Sequence, residues 1–234
     1  MKKNFVKALA LLVFAGFVSC NDDDPAPEGV ADVYIISKQA INEETQAPEI
    51  VYGLHIDAVG YYGTLSAVKA VVGTTTINLE KDNDTGTFFY EQEEYTTEKP
   101  QTGTYTMTYT FSTQLTAQSA DALTSETLDP AVITQATYGS EKIELSWEEV
   151  DDAEACYVQM KDSDGDIVFR TSNYLPGDET DYDIVRSSGT WDSSHTMTNG
   201  ATYTVEVVAL LGSSSGSLQA MSIGTKTVVW GQAD

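Results

Sequence analysis

The chain of 234 residues is short of basic side chains, histidine, cysteine and helical periodicity. Twelve Lys and Arg stand against 36 Asp and Glu, for a net charge of −24. Phosphate backbones need basic surface, so nucleic acid is not an expected partner. The two histidines, His55 and His195, fall in different predicted domains. His55 has Asp57 on the same side of its strand, but no Ser or Cys nucleophile accompanies the pair in a recognisable motif, and a solvated strand face is the reading. The sequence has no metal-ligand cluster, no phosphate-cradling Gly loop and no nucleophile elbow. With 36 acids, pairs such as Glu93-Glu94, Glu148-Glu149 and Asp151-Asp152 arise by composition. Neighbours on a strand also point to opposite faces, so the pairs do not indicate glycoside hydrolysis. The expectation is a protein that is not an enzyme and carries no cofactor and no metal.

No stretch longer than about ten residues shows a helical stripe, and the apolar run 8–18 is too short to span a bilayer. Lys2, Lys3 and Lys7 precede that run, which makes residues 1–19 an export signal. The residues around Cys20 resemble a bacterial lipobox, with Ser19 as the small residue before the Cys and Phe17 where that pattern usually has Leu. The resemblance implies that Cys20 is the lipid-bearing first residue of the mature chain. Asn21-Asp22-Asp23-Asp24 is similar to the export tag of surface lipoproteins in Bacteroidota, which implies a lipid-anchored place on the outer membrane, facing the exterior in preference to the periplasm. Residues 20–29 also read as a polar tether stiffened by Pro25 and Pro27.

A lipid on Cys20 leaves Cys156 without a disulfide partner. Cys156, Val158 and Met160 alternate with Tyr157 and Gln159, so the thiol is expected to face inward and be inert. Loss of the signal removes three lysines and no acids, leaving 9 basic and 36 acidic residues, a net charge of −27. Such a surface keeps a protein soluble and discourages adhesion to other anionic surfaces.

Period-two alternation along the remaining chain predicts an all-β fold of two tandem β-sandwiches. The clearest strand is 104–111, where Tyr105, Met107, Tyr109 and Phe111 share one face and four threonines the other. Tyr52, Leu54, Ile56 and Ala58 likewise share a face. Residues 82–86 separate strand-like 76–80 from 87–95, which reads as a hairpin. With 33–37 and 65–72, six or seven strands are consistent with an immunoglobulin-like sandwich over 30–118. The polar stretch 114–129, closing at Pro130, is the expected domain boundary.

Residues 128–234 resemble a fibronectin type III domain. The pieces that carry the resemblance are Ile143-Glu144-Leu145-Ser146-Trp147, Cys156-Tyr157-Val158-Gln159-Met160, and the spaced set Met197, Gly200, Tyr203, Val205, Val207 and Ala209. The resemblance implies that Trp147 is a core residue and that Tyr203 is a corner tyrosine, its hydroxyl bonded back to the chain. The connection between Arg170 and Met197 is longer than that family's minimum, and an enlarged loop is where function is grafted onto such a scaffold.

Within that connection Trp191 lies in a polar loop with no apolar pattern to bury it. It is the first candidate for ligand binding, with Tyr174 and Tyr182 beside it and Tyr61 and Tyr62 as lesser ones, because sugar rings stack on flat aromatic surfaces. Asp162-Ser163-Asp164-Gly165-Asp166 invites a calcium reading. Its Gly stands at the fourth position and not the sixth, and Asn173 occupies the twelfth, so a tight turn is the better account.

The function expected is a non-catalytic envelope lipoprotein that binds a glycan or protein ligand. The alternative is a structural spacer or an assembly subunit of an envelope complex or fimbria. Fimbrial subunits matured by Arg-specific cleavage near the N-terminus are disfavoured, because the first Arg is Arg170. Labelled palmitate supplied to cells expressing the full chain is expected to enter the protein and to be lost from Cys20→Ser; equal labelling of both would remove the anchor.

Overall fold

A computed structural model describes residues 25–83, 85–212 and 216–231; the signal peptide, Cys20 and the acidic tag lie outside the described residues. The fold is all-β, with no helix among the described residues. Two compact units divide the chain. Unit 1 takes residues up to Val33, Ile56–Glu91 and Gly103–Leu123, and unit 2 takes Tyr34–His55, Gln92–Thr102 and Thr124–Asp234.

In unit 1, strands β3 (Leu65–Val72), β4 (Thr75–Asn78), β7 (Gly103–Phe111) and β8 (Thr116–Leu123) form a sheet in the order β4-β3-β7-β8. The opposing strands are the first part of β1 (Glu28–Ile41), the second part of β2 (Pro48–Tyr61), β5 (Glu80–Lys81) and β6 (Phe88–Glu91). Strand β7 follows its alternation: Tyr105, Met107, Tyr109 and Phe111 are buried, and Thr104 and Thr106 are exposed. Gly29 in β1 lies flat against the Tyr109 ring, where an added Cβ would fall 2.4 Å from ring carbons. That contact sandwiches the β7 aromatics between strands of both layers. Burial pushes the Tyr105 and Tyr109 phenols up to about 12.

The expected hairpin is present but short. Asp82 N–H donates to Thr87 O, Gly86 takes a φ of 73° that Gly tolerates, and Glu80–Lys81 pairs with Phe88 and Phe89. The polar stretch read as a boundary is a strand as far as Leu123. As the edge of its sheet, β8 packs only lightly, so its small and polar residues carry a weak alternation signal.

In unit 2, β9 (Ile133–Gly139), β10 (Lys142–Trp147) and β14 (Asp181–Val185) form one sheet in the order β14-β10-β9. The facing sheet contains β11 (Ala155–Lys161), β12 (Ile167–Arg170), β13 (Leu175–Pro176), β15 (Thr190–Trp191), β16 (Thr202–Gly212) and β17 (Leu218–Val229). Its order runs β15-β12-β11-β16-β17 and continues through β1 to β2. Ile143, Leu145 and Trp147 from one sheet meet Val158, Met160, Val205 and Val207 from the other in one core. This is a fibronectin type III-like sandwich.

The corner is built as expected. Tyr203 is buried, and its hydroxyl accepts the Thr198 N–H at 3.1 Å while lying 3.2 Å from His195 Nε2. His195 Nδ1 in turn is 3.5 Å from Asp162. Cys156 is buried with Sγ 3.3 Å from the Pro176 carbonyl, and burial pushes its thiol up to about 11, well away from the thiolate that reacts.

Segments read from sequence as part of the first sandwich make their contacts in the second unit. Strand β1 lies parallel to β17, with Ile35 opposite Ala220 and Lys38 opposite Ile223. Buried on both faces, 33–37 shows no alternation. Tyr203→Phe removes the acceptor of the Thr198 N–H and is expected to cost about 0.5–1.5 kcal/mol, read as a lower urea midpoint at unchanged m-value; an unchanged midpoint would remove the corner bond from the stability of unit 2.

Candidate functional site

Strand β12 separates the three expected ligand-binding aromatics. Successive strand residues point to opposite faces, so Phe169 enters the core and Arg170 faces outward. Trp191 pairs opposite Phe169 in the ladder, and the rings sit 4.9 Å apart. Its other neighbours are Trp230, at 6.0 Å edge-on, and the Arg186 guanidinium, 5.0 Å from the ring. The indole N–H donates to the carbonyls of Val185 and Ser188 at 3.2 and 3.0 Å. Tyr182 lies 6.3 Å from Phe169 on the same core side. The polar loop around Trp191 hid this packing, because the partners come from β12 and from the C-terminal end.

Tyr174 lies on the other side of the sheet. It is 49% exposed, and its ring is 6.0 Å from Tyr157. The Arg170 guanidinium also lies over the Tyr157 ring, 4.0 Å from its centre. Beside them on β11 and β16, Gln159 and Glu206 are each 6% exposed. Glu206 accepts from the Gln159 amide and from Lys161 Nζ at 2.9 Å. The Gln159 amide oxygen, buried in the same group, has no hydrogen-bond partner. Beyond them Val208, Leu210, Leu218, Met221 and Ile223 extend the face as an apolar apron.

No family model matches the chain, and a search of curated proteins finds no match. Solved structures that it resembles include the FN1-FN3 domains of chicken CNTN1, at 10% identity and a TM-score of 0.29, covering 82% of this chain and 75% of that one. Tp47, the 47-kilodalton lipoprotein of Treponema pallidum, also has 10% identity and a TM-score of 0.29, with 84% of this chain and 51% of that one covered. Bacteroides ovatus SGBP-B of a mixed-linkage glucan utilization locus, solved with a mixed-linkage heptasaccharide, has 10% identity and a TM-score of 0.19, with 86% and 60% covered. The chain thus spans about half of the Treponema chain and three fifths of the Bacteroides one.

An antiparallel sheet with one face on the core ordinarily presents a polar face to water. Here the outward positions of β11 and β16 hold Tyr157, the buried Gln159 amide and a buried Glu206 carboxylate paired with Lys161, and Arg170 from β12 and Tyr174 from the segment after it lie against Tyr157. Desolvation raises the Tyr157 phenol above its ordinary value, against the lowering effect of Arg170, so it stays a neutral hydroxyl in physiological conditions. The face carries an exposed ring at Tyr174, with the Arg170 guanidinium beside it on Tyr157 and Lys161 Nζ paired to Glu206. None of these groups is a nucleophile paired with a base. A depression of ≈ 120 Å³ lined by Ala136, Tyr138 and Val228 is far smaller than a site for a drug-sized ligand. Among the described residues no three His, Cys, Asp or Glu side chains gather to hold a metal ion. In the Asp162 turn the carboxylate accepts the N–H groups of Asp164 and Asp166, both at 3.0 Å.

The sequence reading missed Tyr157, Gln159, Arg170 and Glu206. The signal available was the placement of a Tyr and a Gln at outward positions between three core residues. Trp191→Ala is expected to destabilise unit 2 by roughly 2–3 kcal/mol, because a half-buried ring is lost from the Phe169 and Trp230 contacts; a urea midpoint matching the parent chain would show that the ring contributes no packing.

Proposed function

We propose that this chain is a non-catalytic lipoprotein of the cell envelope, held on the outer membrane through Cys20, that recognises a glycan or protein ligand on the outward sheet face around Tyr174. What supports the reading most is the accessible Tyr174 ring beside Tyr157 and Arg170. Tyr174 is the primary contact in this reading. Trp191 and Tyr182 shape the enlarged connection from the core side.

Soluble residues 21–234, tested against a panel of polysaccharides and extracellular-matrix proteins, are expected to bind one class. Tyr174→Ala should weaken that affinity about tenfold, equivalent to about 1.4 kcal/mol, at an unchanged melting temperature. Binding that survives Tyr174→Ala in full would move the site elsewhere. Binding to nothing on the panel would favour the spacer or assembly reading.

A further inference from the structure

The exposed large apolar side chains of unit 1 gather at one end. Tyr61 and Tyr62, 39% and 51% exposed, lie where β2 turns into β3, and Leu115, 53% exposed, lies where β7 turns into β8. The two turns are neighbours: Leu65 pairs with Phe111, and Ser112 N–H donates to Thr64 O at 2.9 Å. Each is held by a non-glycine residue in the left-handed region, Tyr62 at φ 58° and Gln114 at φ 67°. Such conformations persist where the surroundings over-determine them and cluster at contact sites. Gly63 packs under the turn against Phe111, where a Cβ would meet the ring at 2.8 Å.

The same end receives the chain from the N-terminus. Gly29 lies on Tyr109, and the Val33 N–H donates to Asp121, the residue opposite Tyr105. Strand β1 therefore runs from the Tyr109 level toward the Tyr105 level, away from the turns, and the residues before Gly29 lead toward them. Four residues separate Cys20 from Pro25, so the five steps between them reach at most about 18 Å.

Charge is the remaining feature. In a chain with 21% charged residues, 58–68 and 100–120 contain none, and Glu28 stands at the margin of this end. An anionic patch would be repelled by anionic lipid; this one is uncharged, and tyrosine is the side chain enriched at bilayer interfaces.

We infer that the Tyr61, Tyr62 and Leu115 end of unit 1 rests in the interface of the lipid bilayer that holds Cys20, as a second contact that orients the protein. The inference rests on the lipid-anchor reading and adds to it a surface that an anchor alone does not require. Tyrosine hydroxyls face the headgroups, and the rings and Leu115 cover the boundary with the acyl chains.

The test uses the full chain, lipidated in cells, purified and placed in phospholipid vesicles. Leu115→Cys carries an environment-sensitive dye, and Thr104→Cys is the control, about 23 Å away along β7. Cys20 is blocked by its lipid and Cys156 is buried, so each label is unique. If residue 115 sits about 5–10 Å into the headgroup boundary, lipids brominated on the acyl chains quench its dye on the order of twofold more than the dye at 104. Flotation of the vesicles is measured in parallel. Equal quenching at both positions in floating protein overturns the inference and leaves the anchor standing. Protein that does not float overturns the anchor and the inference with it. A dye at 115 that responds to a soluble neutral polysaccharide and not to lipid assigns the patch to saccharide and overturns the lipid contact.

Discussion

The constraint on which unit 2 depends is the parallel ladder between β1 and β17. Strand β17 is the outer member of the β11-β16-β17 series, and without a neighbour its free edge would leave a row of backbone donors and acceptors open. Strand β1 closes it, with Ile35 beside Ala220 and Ile36 beside Met221. Around the ladder two buried polar side chains find specific partners. Ser37 Oγ donates to the Leu128 carbonyl, and Gln219 accepts the Thr124 N–H at 3.0 Å. Those two bonds clasp the residues after β8 onto unit 2, so this polar stretch is ordered by side chains buried in β1 and β17.

The same geometry explains the outward face. Long strands β16 and β17, paired over eleven positions from Thr202 to Gly212, make a sheet wide enough that residues in the middle are covered by their own neighbours. Val208 is fully buried on the side away from the core, between Tyr157 and the apolar apron. Glu206 is buried there as well, and such a charge is tolerated because Lys161 and Gln159 both reach it. A face of this kind presents ring surface at Tyr174 and a guanidinium at Arg170 over buried polar groups.

The environment of a free thiol decides whether it exchanges. Cys156 is on the core side of β11, next to the Pro176 carbonyl and away from any cationic group that would favour its thiolate. The Asp162 turn and His195 join at the opposite end of β11 in a chain that runs to the Tyr203 hydroxyl. A turn that resembles a fragment of a calcium loop therefore has its carboxylate bonded to the turn's own backbone and to the corner of the fold.

Alternation in β7 and β10, the inward set of β11, the core Trp147 and the corner Tyr203 were legible because each depends on local period or on fixed spacing along one strand. The sequence by itself determined an all-β chain with a type III-like C-terminal sandwich. It was silent on where β1 pairs, because a parallel partner 185 residues away, Ile35 to Ala220, leaves no local trace. It misjudged the setting of Trp191 for a similar reason: a polar loop gives no hint that β12 and the C-terminal Trp230 bring a core to it. Tyr174 and Trp191 look alike in sequence, two aromatics in one connection. Only the ladder from Phe169 to Trp191, with Arg170 turned the other way, decided that one ring belongs to the core and the other to the open face.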